Sequence, residues 1–227
     1  MKKIIVLFFG LGSAAFAGSV QLIANGGFET GDFTSWAITT NDTPGNGGWF
    51  VTSAASTPLN GFPTNGPDSG TYYAVSDAYE PGARALTQSF TVPLNATDVV
   101  LSGDIFVNDW DGNSGSGGEV DILAAGANPL AATPIVVAYG PADTAVSGGV
   151  PNGWVPFSVD ITSSLTQGSS YELRVLESDA SGPINMGADN LSVIATTAST
   201  GTPEPDSAIP LSVLGAFLIH RMRKPAA

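Results

Sequence analysis

Residues Val155–Thr162 read VPFSVDIT, and apolar and polar side chains alternate strictly along this stretch. The odd-numbered positions are valine, phenylalanine, valine and isoleucine, so they share one face. The even-numbered positions are proline, serine, aspartate and threonine. A period of two predicts a β-strand that buries one face and exposes the other.

The same alternation extends outward through most of the chain, and no stretch keeps a helical period of 3.6 residues. Asn-Gly pairs at residues 25, 46, 60, 65 and 152 mark turns between the alternating segments. The segments are TYYAVSD (71–77), ALTQSFTV (85–92), VVLSGDIFV (99–107), EVDIL (119–123), PIVVAY (134–139), YELRVLE (171–177) and ADNLSVIA (188–195). About ten short strands joined by Gly-rich loops predict an all-β domain, an antiparallel β-sandwich or barrel, over residues 18–196.

The N-terminal residues 1–17, MKKIIVLFFGLGSAAFA, have the three parts of a signal peptide. Lys2 and Lys3 are charged, an apolar run follows, and Ala15-Phe16-Ala17 supplies a small-x-small cleavage site. We therefore predict that the protein is exported and that the mature chain begins at Gly18.

Residues 18–201 are strongly acidic. They contain two arginines against eighteen carboxylates, which gives a net charge of −16, and they lack histidine, cysteine and lysine. Such a surface repels nucleic acid, which excludes nucleic-acid binding. The missing residue types exclude Ser-His-Asp and Cys-His catalysis, histidine-based zinc sites and Schiff-base chemistry. Hydrolysis of glycosides by paired carboxylates is the catalytic class left open.

The C-terminal end divides into a small polar linker, residues 197–202, and a tail, residues 203–227. An apolar run at 208–219 would form a helix about 18 Å long, too short for a bilayer core of about 30 Å. Pro203-Glu204-Pro205 precedes this run, and Arg221, Arg223 and Lys224 follow it. This order resembles the PEP-CTERM sorting signal. The resemblance implies recognition by an exosortase-type enzyme, transient anchoring in the inner membrane, and delivery to the cell surface or the extracellular matrix.

A second resemblance covers most of residues 20–196. NGGFETGDFTSW (25–36), ALTQSFTV (85–92) and GADNLSV (187–193) are similar to the opening, central and closing strands of galactose-binding-like jelly rolls, which include many carbohydrate-binding modules. The resemblance implies a jelly-roll β-sandwich and weakly favours a carbohydrate ligand.

The same resemblance implies a structural Ca²⁺ held by Glu29 and Asp189. Carboxylates and strand-end carbonyls are the hard oxygen ligands that Ca²⁺ requires. In the alternative interpretation, Glu29 caps a turn and Asp189 accepts hydrogen bonds from backbone amides.

The stretch that starts at Asn108 is a weaker metal candidate. Asp109, Asp111 and Asn113 place oxygen ligands at alternate positions, as in half of a calcium loop, but the stretch lacks the glycine and glutamate of an EF-hand. A solvated acidic hairpin loop is the favoured alternative.

The aromatic residues fall into two groups. The pattern places Trp36 in the core and Trp154 over the edge of the sandwich, and alternation turns one of Tyr72 and Tyr73 inward. By contrast, polar or glycine neighbours surround Trp110 and Trp49, so we expect exposed rings that stack on sugars, with Tyr79 as a possible third member.

These features predict an exported, non-catalytic protein that interacts with extracellular polysaccharide. The alternatives are a purely structural surface or biofilm-matrix protein without sugar binding, and a carboxylate-dependent glycoside hydrolase.

Overall fold

Two antiparallel β-sheets face each other across one apolar core. The computed structural model describes residues 18–42, 47–78, 80–110, 116–140, 150–180 and 182–198. Gly18–Thr197 forms one compact unit. The predicted signal peptide, sorting motif and C-terminal apolar helix lie outside the described residues. Among the described residues, no helix is long and apolar enough to cross a bilayer.

The described residues form eleven strands. These are β1 (Gly18–Gln21), β2 (Ala37–Thr40), β3 (Gly47–Thr52), β4 (Tyr73–Ala78), β5 (Gly82–Thr91), β6 (Ala96–Asp109), β7 (Gly117–Ala124), β8 (Val136–Tyr139), β9 (Val155–Asp160), β10 (Ser170–Asp179) and β11 (Ile184–Thr197). The front sheet has the order β3-β4-β11-β6-β9, and β1 pairs with the far end of β11. The back sheet has the order β2-β5-β10-β7-β8. The predicted antiparallel β-sandwich is confirmed.

The core is built from the alternating side chains that the sequence pattern identified. On β9, Phe157 and Val159 pack against the main cluster, and Ile161 is buried just beyond the strand. Val155 departs from the pattern and is 45% exposed, because β9 is an edge strand and its first residue lies beyond the core. All eight predicted segments form strands. Residues 25–36, expected from the resemblance to be the opening strand, form turns between β1 and β2 instead. The prediction omitted β1, β2 and β3, which are short or rich in glycine.

Both arginines of the domain are buried in ion pairs. Arg84 lies on the inner face of β5, where Nη1 donates to both oxygens of Glu177 at 3.0 and 2.9 Å and Nε lies 2.5 Å from Asp42. Arg174 lies on the outer face of β10 and pairs with Asp121. Its Nη1 also donates to the carbonyl of Pro129, in the loop that covers this face. The two cations thus neutralise buried carboxylates and are not displayed at the surface.

The long connection between β3 and β4, residues 53–72, crosses the outer face of the front sheet. Three carboxylates hold it by accepting hydrogen bonds from its backbone amides. Asp77 binds the amides of residues 59 and 60, Asp189 those of 68 and 69, and Glu29 those of 71 and 72. We call residues 53–72 the covering loop.

Candidate functional site

Trp110 lies at one end of the front sheet, directly after β6. Its backbone N–H donates to the carbonyl of Pro183 at 3.1 Å, which ties the end of β6 to the start of β11. The indole is half-buried, so part of the ring faces solvent. The expected exposure of Trp110 is therefore present in part.

Two contacts fix the orientation of this indole. Nε1 donates to Oδ1 of Asn185 on β11 at 2.8 Å. The ring also stacks on Phe62 of the covering loop, with ring centroids 5.4 Å apart and planes inclined by 24°. A stacked pair held by a hydrogen bond is a rigid apolar surface with a polar edge. Rigidity matters for recognition because a fixed ring loses little conformational entropy on binding.

Buried polar side chains on the outer face of the front sheet hold this pair in place. Asn185 lies in register with Asn108 on β6, and both are fully buried. Oδ1 of Asn108 accepts the backbone N–H of Asn152 at 2.7 Å. Nδ2 of Asn108 has no hydrogen-bond partner although it is buried. A buried donor without an acceptor is uncommon in folded proteins, and it calls for a ligand or a bound water.

Asp77 on β4 fixes the part of the covering loop that carries Phe62. Its Oδ2 accepts the amides of Leu59 and Asn60 at 2.5 and 2.9 Å, and its Oδ1 accepts Nδ2 of Asn60 at 2.7 Å. Leu59 is 49% exposed, and Asn60 is also exposed. We call Trp110, Phe62, Leu59 and Asn60 the aromatic platform.

The prediction that Trp49 is an exposed loop aromatic is wrong. Trp49 lies on β3, opposite Ser76 of β4, and is only 4% exposed within the main core. Glycines 47 and 48, which made the stretch read as a loop, are part of the strand. Gly47 is required there because an added Cβ would lie 2.6 Å from Nε of Arg84.

The other aromatic predictions have mixed outcomes. Trp36 is buried in the core and donates from its indole to the carbonyl of Asn25, as expected. Tyr73 is the inward-turned member of the Tyr72–Tyr73 pair, but it packs beneath the covering loop against Phe106 and not between the sheets. Trp154 joins that small cluster. Tyr79 lies outside the described residues.

The predicted loop at Asn108 is wrong in its first two residues. Asn108 and Asp109 end β6, and Asp109 is buried opposite Ile184. Neither residue therefore belongs to a solvated loop. Asp111 and Asn113, the other members of this weaker metal candidate, lie outside the described residues.

Glu29 and Asp189 approach each other at Gly27. A Cβ placed on Gly27 would lie 3.6 Å from Oδ1 of Asp189 and 3.8 Å from Cγ of Glu29. Their oxygens accept amide hydrogens from the covering loop, and Asn190 also donates its N–H to Oδ1 of Asp189 at 2.7 Å. The contacts are those of the alternative interpretation, in which backbone amides satisfy both carboxylates.

Burial governs the electrostatics around Asp189. Burial raises the pKa of Asp189 to about 6, although the amides of Ser69, Asn190 and Asp68 lower it. The pKa of Asp68 is also raised, by desolvation and by the nearby Asp104. Asn190, whose φ is 52°, bridges Asp68 and Asp104, because its Nδ2 donates to the carboxylate of Asp68 at 3.1 Å and to that of Asp104 at 2.9 Å.

The carboxylate oxygens near Gly27 supply only part of the coordination shell that a hard cation needs. Two carboxylates supply up to four oxygens, and Ca²⁺ takes six to eight, so backbone carbonyls or water must complete the shell. Oε1 of Glu29 and Oδ2 of Asp189 each accept two amide hydrogens, whereas Oε2 of Glu29 and Oδ1 of Asp189 accept one each and keep a lone pair for a cation. Within the described part of the chain, no group of three or more histidine, cysteine, aspartate or glutamate residues is arranged to hold a metal.

The carboxyl groups with the largest increases in pKa already have structural partners. Burial raises the pKa of Glu177 to about 8 and that of Asp121 to about 7. Glu177 is held by Arg84, Asp121 by Arg174 and Asp189 by amides, and all three side chains are buried. These groups cannot reach a glycosidic oxygen, so their high pKa values are a consequence of packing.

The comparisons with known proteins report on the fold. No protein-family model matches the chain, and no protein of curated function is similar to it in sequence. A Stig cyclase, Fisc from Fischerella sp. TAU, shares 18% identity at a TM-score of 0.50, with 80% of this chain and all of that chain covered.

Two further solved structures show a weaker likeness. The K3 adhesin domain of Lys-gingipain from Porphyromonas gingivalis shares 16% identity at a TM-score of 0.47, with 80% and 98% of the two chains covered. TmCBM61, solved with β-1,4-galactotriose, shares 13% identity at 0.45, with 79% and 99% covered. At identities this low, the likeness to the Stig cyclase shows a shared fold alone, and the ligand has to be argued from the site.

Phe62 and Asn185 are members of the site that sequence reasoning missed. Phe62 lies 48 positions before Trp110, in a stretch without alternation, and Asn185 lies 75 positions after it. A single sequence carries no signal that joins these three residues. Only the topology, in which β6 pairs with β11 beneath the covering loop, brings them together.

Proposed function

We propose that this domain is a non-catalytic module that binds carbohydrate through the aromatic platform. The observation that carries the proposal is the half-exposed indole of Trp110, which is fixed by Phe62 on one ring face and by Asn185 at its N–H edge. Apolar ring faces stack on the C–H faces of sugars, while neighbouring amides bind hydroxyl groups. Nδ2 of Asn60 is engaged by Asp77, so the carbonyl oxygen of this exposed side chain is the group that would accept a sugar hydroxyl.

We further propose that the protein is exported and sorted through its tail. The signal-peptide features of residues 1–17 and the order of Pro203-Glu204-Pro205, apolar run and basic end support this proposal. An exosortase-type enzyme would process the tail, with transient retention in the inner membrane. The acidic domain would then act at the cell surface or in the matrix, where extracellular polysaccharide is its partner.

Retention of the full chain on immobilised polysaccharides tests the binding proposal. We expect Trp110→Ala to weaken binding about tenfold or more, equivalent to about 1.4 kcal/mol, because the stacking surface is lost. Tyr72→Ala is the matched control, since it removes a half-buried aromatic ring beside Gly31 and away from the platform. Equal weakening by the two variants would reflect a general loss of structure and would contradict the assignment.

The alternative class is a structural matrix protein that associates with proteins or with itself. It would show no retention on any polysaccharide and a concentration-dependent increase in mass by light scattering. The exposed apolar side chains Leu94, Ile38 and Val137 would then be the first contacts to test. The aromatic platform favours the carbohydrate proposal over this alternative.

We also propose a structural Ca²⁺ at Glu29 and Asp189. The approach of both side chains to Gly27 supports it, as does the cost of keeping Asp189 charged in a buried place. The ion would supply positive charge at this junction and so stabilise the first turn of the domain against its last strand.

Thermal unfolding of the full chain with calcium and with EDTA tests this proposal. At about a hundred times the Kd, calcium should add about 2.7 kcal/mol. Glu29→Gln and Asp189→Asn should abolish the calcium-dependent shift, whereas Asp160→Asn, a distant exposed carboxylate, should keep it. An unchanged unfolding midpoint in wild-type protein would mean that the amide contacts alone hold the junction.

A further inference from the structure

The surface charge of the domain restricts the class of carbohydrate that the aromatic platform can bind. Recognition of a uronate, sulfate or phosphate group ordinarily uses a charged arginine or lysine. Between residues 18 and 201, Arg84 and Arg174 are the only basic side chains, and they are 0% and 2% exposed. No basic side chain of the domain is therefore available to an anionic ligand.

The ion pairs of the two arginines prevent them from being recruited. Arg84 binds Glu177 and Asp42, and Arg174 binds Asp121, all within the fold. Releasing either guanidinium would leave its carboxylates buried without a cation, which costs several kcal/mol. An acidic sugar would bring too little free energy to offset this loss.

Uncharged polar groups and carboxylates surround the platform. Asn60 is exposed, with its Nδ2 donating to Asp77, and the buried amides of Asn185 and Asn108 lie at the same end of the front sheet. The unused Nδ2 donor of Asn108 is fully buried, so it would reach a neutral acceptor such as a hydroxyl oxygen only through a bound water. Asp77 and Asp109, both buried, place two carboxylates at the same end of the front sheet.

From these observations we infer that the platform is selective for neutral polysaccharides and discriminates against acidic ones. This inference rests on the proposed carbohydrate binding. It narrows that proposal to hexose or pentose polymers without carboxylate, sulfate or phosphate groups. Selectivity arises from repulsion by the net charge of −16 together with the absence of a compensating cation.

Matched pairs of polymers test the inference with the full chain. Each pair consists of a uronic-acid polysaccharide, such as pectate or alginate, and the same polymer after chemical reduction of its carboxyl groups. A neutral galactan, glucan and xylan complete the panel. We expect retention on at least one neutral polymer and loss of that retention in Trp110→Ala. At low salt, we expect the acidic member of each pair to bind at least about tenfold more weakly than the neutral member.

Different outcomes would contradict the selectivity for neutral polysaccharides and the carbohydrate binding on which it rests. Equal or tighter Trp110-dependent retention of an acidic member, with or without calcium, would overturn the selectivity for neutral glycans and leave carbohydrate binding intact. Retention of acidic polymers that survives Trp110→Ala belongs to the tail if it disappears when Arg221, Arg223 and Lys224 are replaced by glutamine. In that tail variant, weaker Trp110-dependent retention of the acidic member of each pair would support the selectivity, and equal retention of both members would overturn it. The absence of retention on every polymer would contradict the carbohydrate proposal itself.

Discussion

At the scale of single residues, the ion pair between Arg84 and Glu177 holds the interior together at one end of the sandwich. Both side chains are fully buried, and Asp42 adds a second carboxylate to the same guanidinium. Buried ion pairs contribute little net stability as a unit, but the removal of one partner leaves the other without compensation.

We therefore expect Arg84→Met to lower the free energy of unfolding by about 3–5 kcal/mol, because Glu177 and Asp42 lose their only cation. Urea unfolding above the folded pKa of Glu177, where this carboxyl is charged, measures the change. The double variant Arg84→Met, Glu177→Leu should recover part of the loss, since it removes one of the stranded carboxylates. If the double variant is less stable than the single variant, electrostatics are not the cause.

Some of these residue-level features were present in the sequence. Arg84 has the same parity as Leu86 and Phe90 in β5, so alternation alone pointed it toward the core. The prediction for Trp49 was wrong because the neighbouring glycines indicated a loop, whereas this stretch forms a strand and the indole lies in the core. The partner of each arginine could not be predicted, because pairing depends on which strands become neighbours in the sheet.

At the scale of structural elements, the covering loop is the feature on which the proposed site depends. It carries Phe62, and carboxylates on β4 and β11 and in the opening turn hold its backbone. Because a loop without regular structure must find partners for its amides elsewhere, these carboxylates substitute for a sheet neighbour.

Asp77→Asn tests this role. One amide oxygen cannot replace two carboxylate oxygens that accept three hydrogen bonds, so we expect a loss of about 1–3 kcal/mol. Hydrogen exchange should also become faster at the amides of Leu59 and Asn60. As a control, Asp98→Asn changes a carboxylate that accepts the hydroxyl of Thr162, outside the covering loop. Unchanged exchange at residues 59 and 60 would contradict the anchoring role of Asp77.

Eight of the eleven described strands were predictable because their periods of two are long enough to stand out from chance. The omitted strands fail for local reasons. β1 and β2 have four residues each and only one large apolar side chain apiece, whereas the equally short β8 lies within the apolar segment PIVVAY. β3 begins with two glycines. The covering loop was not predicted because it has no periodicity. Its path is fixed by distant carboxylates, which single-sequence patterns do not reveal.

At the scale of the whole molecule, buried carboxylates make stability depend on pH. The folded pKa values of Glu177, Asp121 and Asp189 are raised, mainly by burial, to about 8, 7 and 6. A carboxyl group whose pKa is higher in the folded state binds protons more tightly there. Its contribution to stability is complete below the unfolded pKa near 4 and is lost as the pH rises through the folded value.

We expect the free energy of unfolding in EDTA to fall by at least about 1 kcal/mol between pH 5 and pH 8. Repulsion within a domain of net charge −16 acts in the same direction. Urea unfolding at several pH values measures how the free energy of unfolding falls with pH. Glu177→Gln should make this fall smaller at the upper end of the pH range. A stability that rises over this range would show that carboxylates with raised pKa do not dominate the pH dependence.

The central claim is that the domain binds a neutral polysaccharide on the ring of Trp110. The most direct measurement follows the indole N–H signals of the four tryptophans by NMR while the neutral polymer that retains the protein is added. We predict that the Trp110 signal shifts, because a sugar that stacks on this ring changes the surroundings of its N–H, while the signals of the buried Trp36 and Trp49 stay in place. Binding that leaves the Trp110 signal unchanged would contradict the claim and place the carbohydrate elsewhere on the molecule.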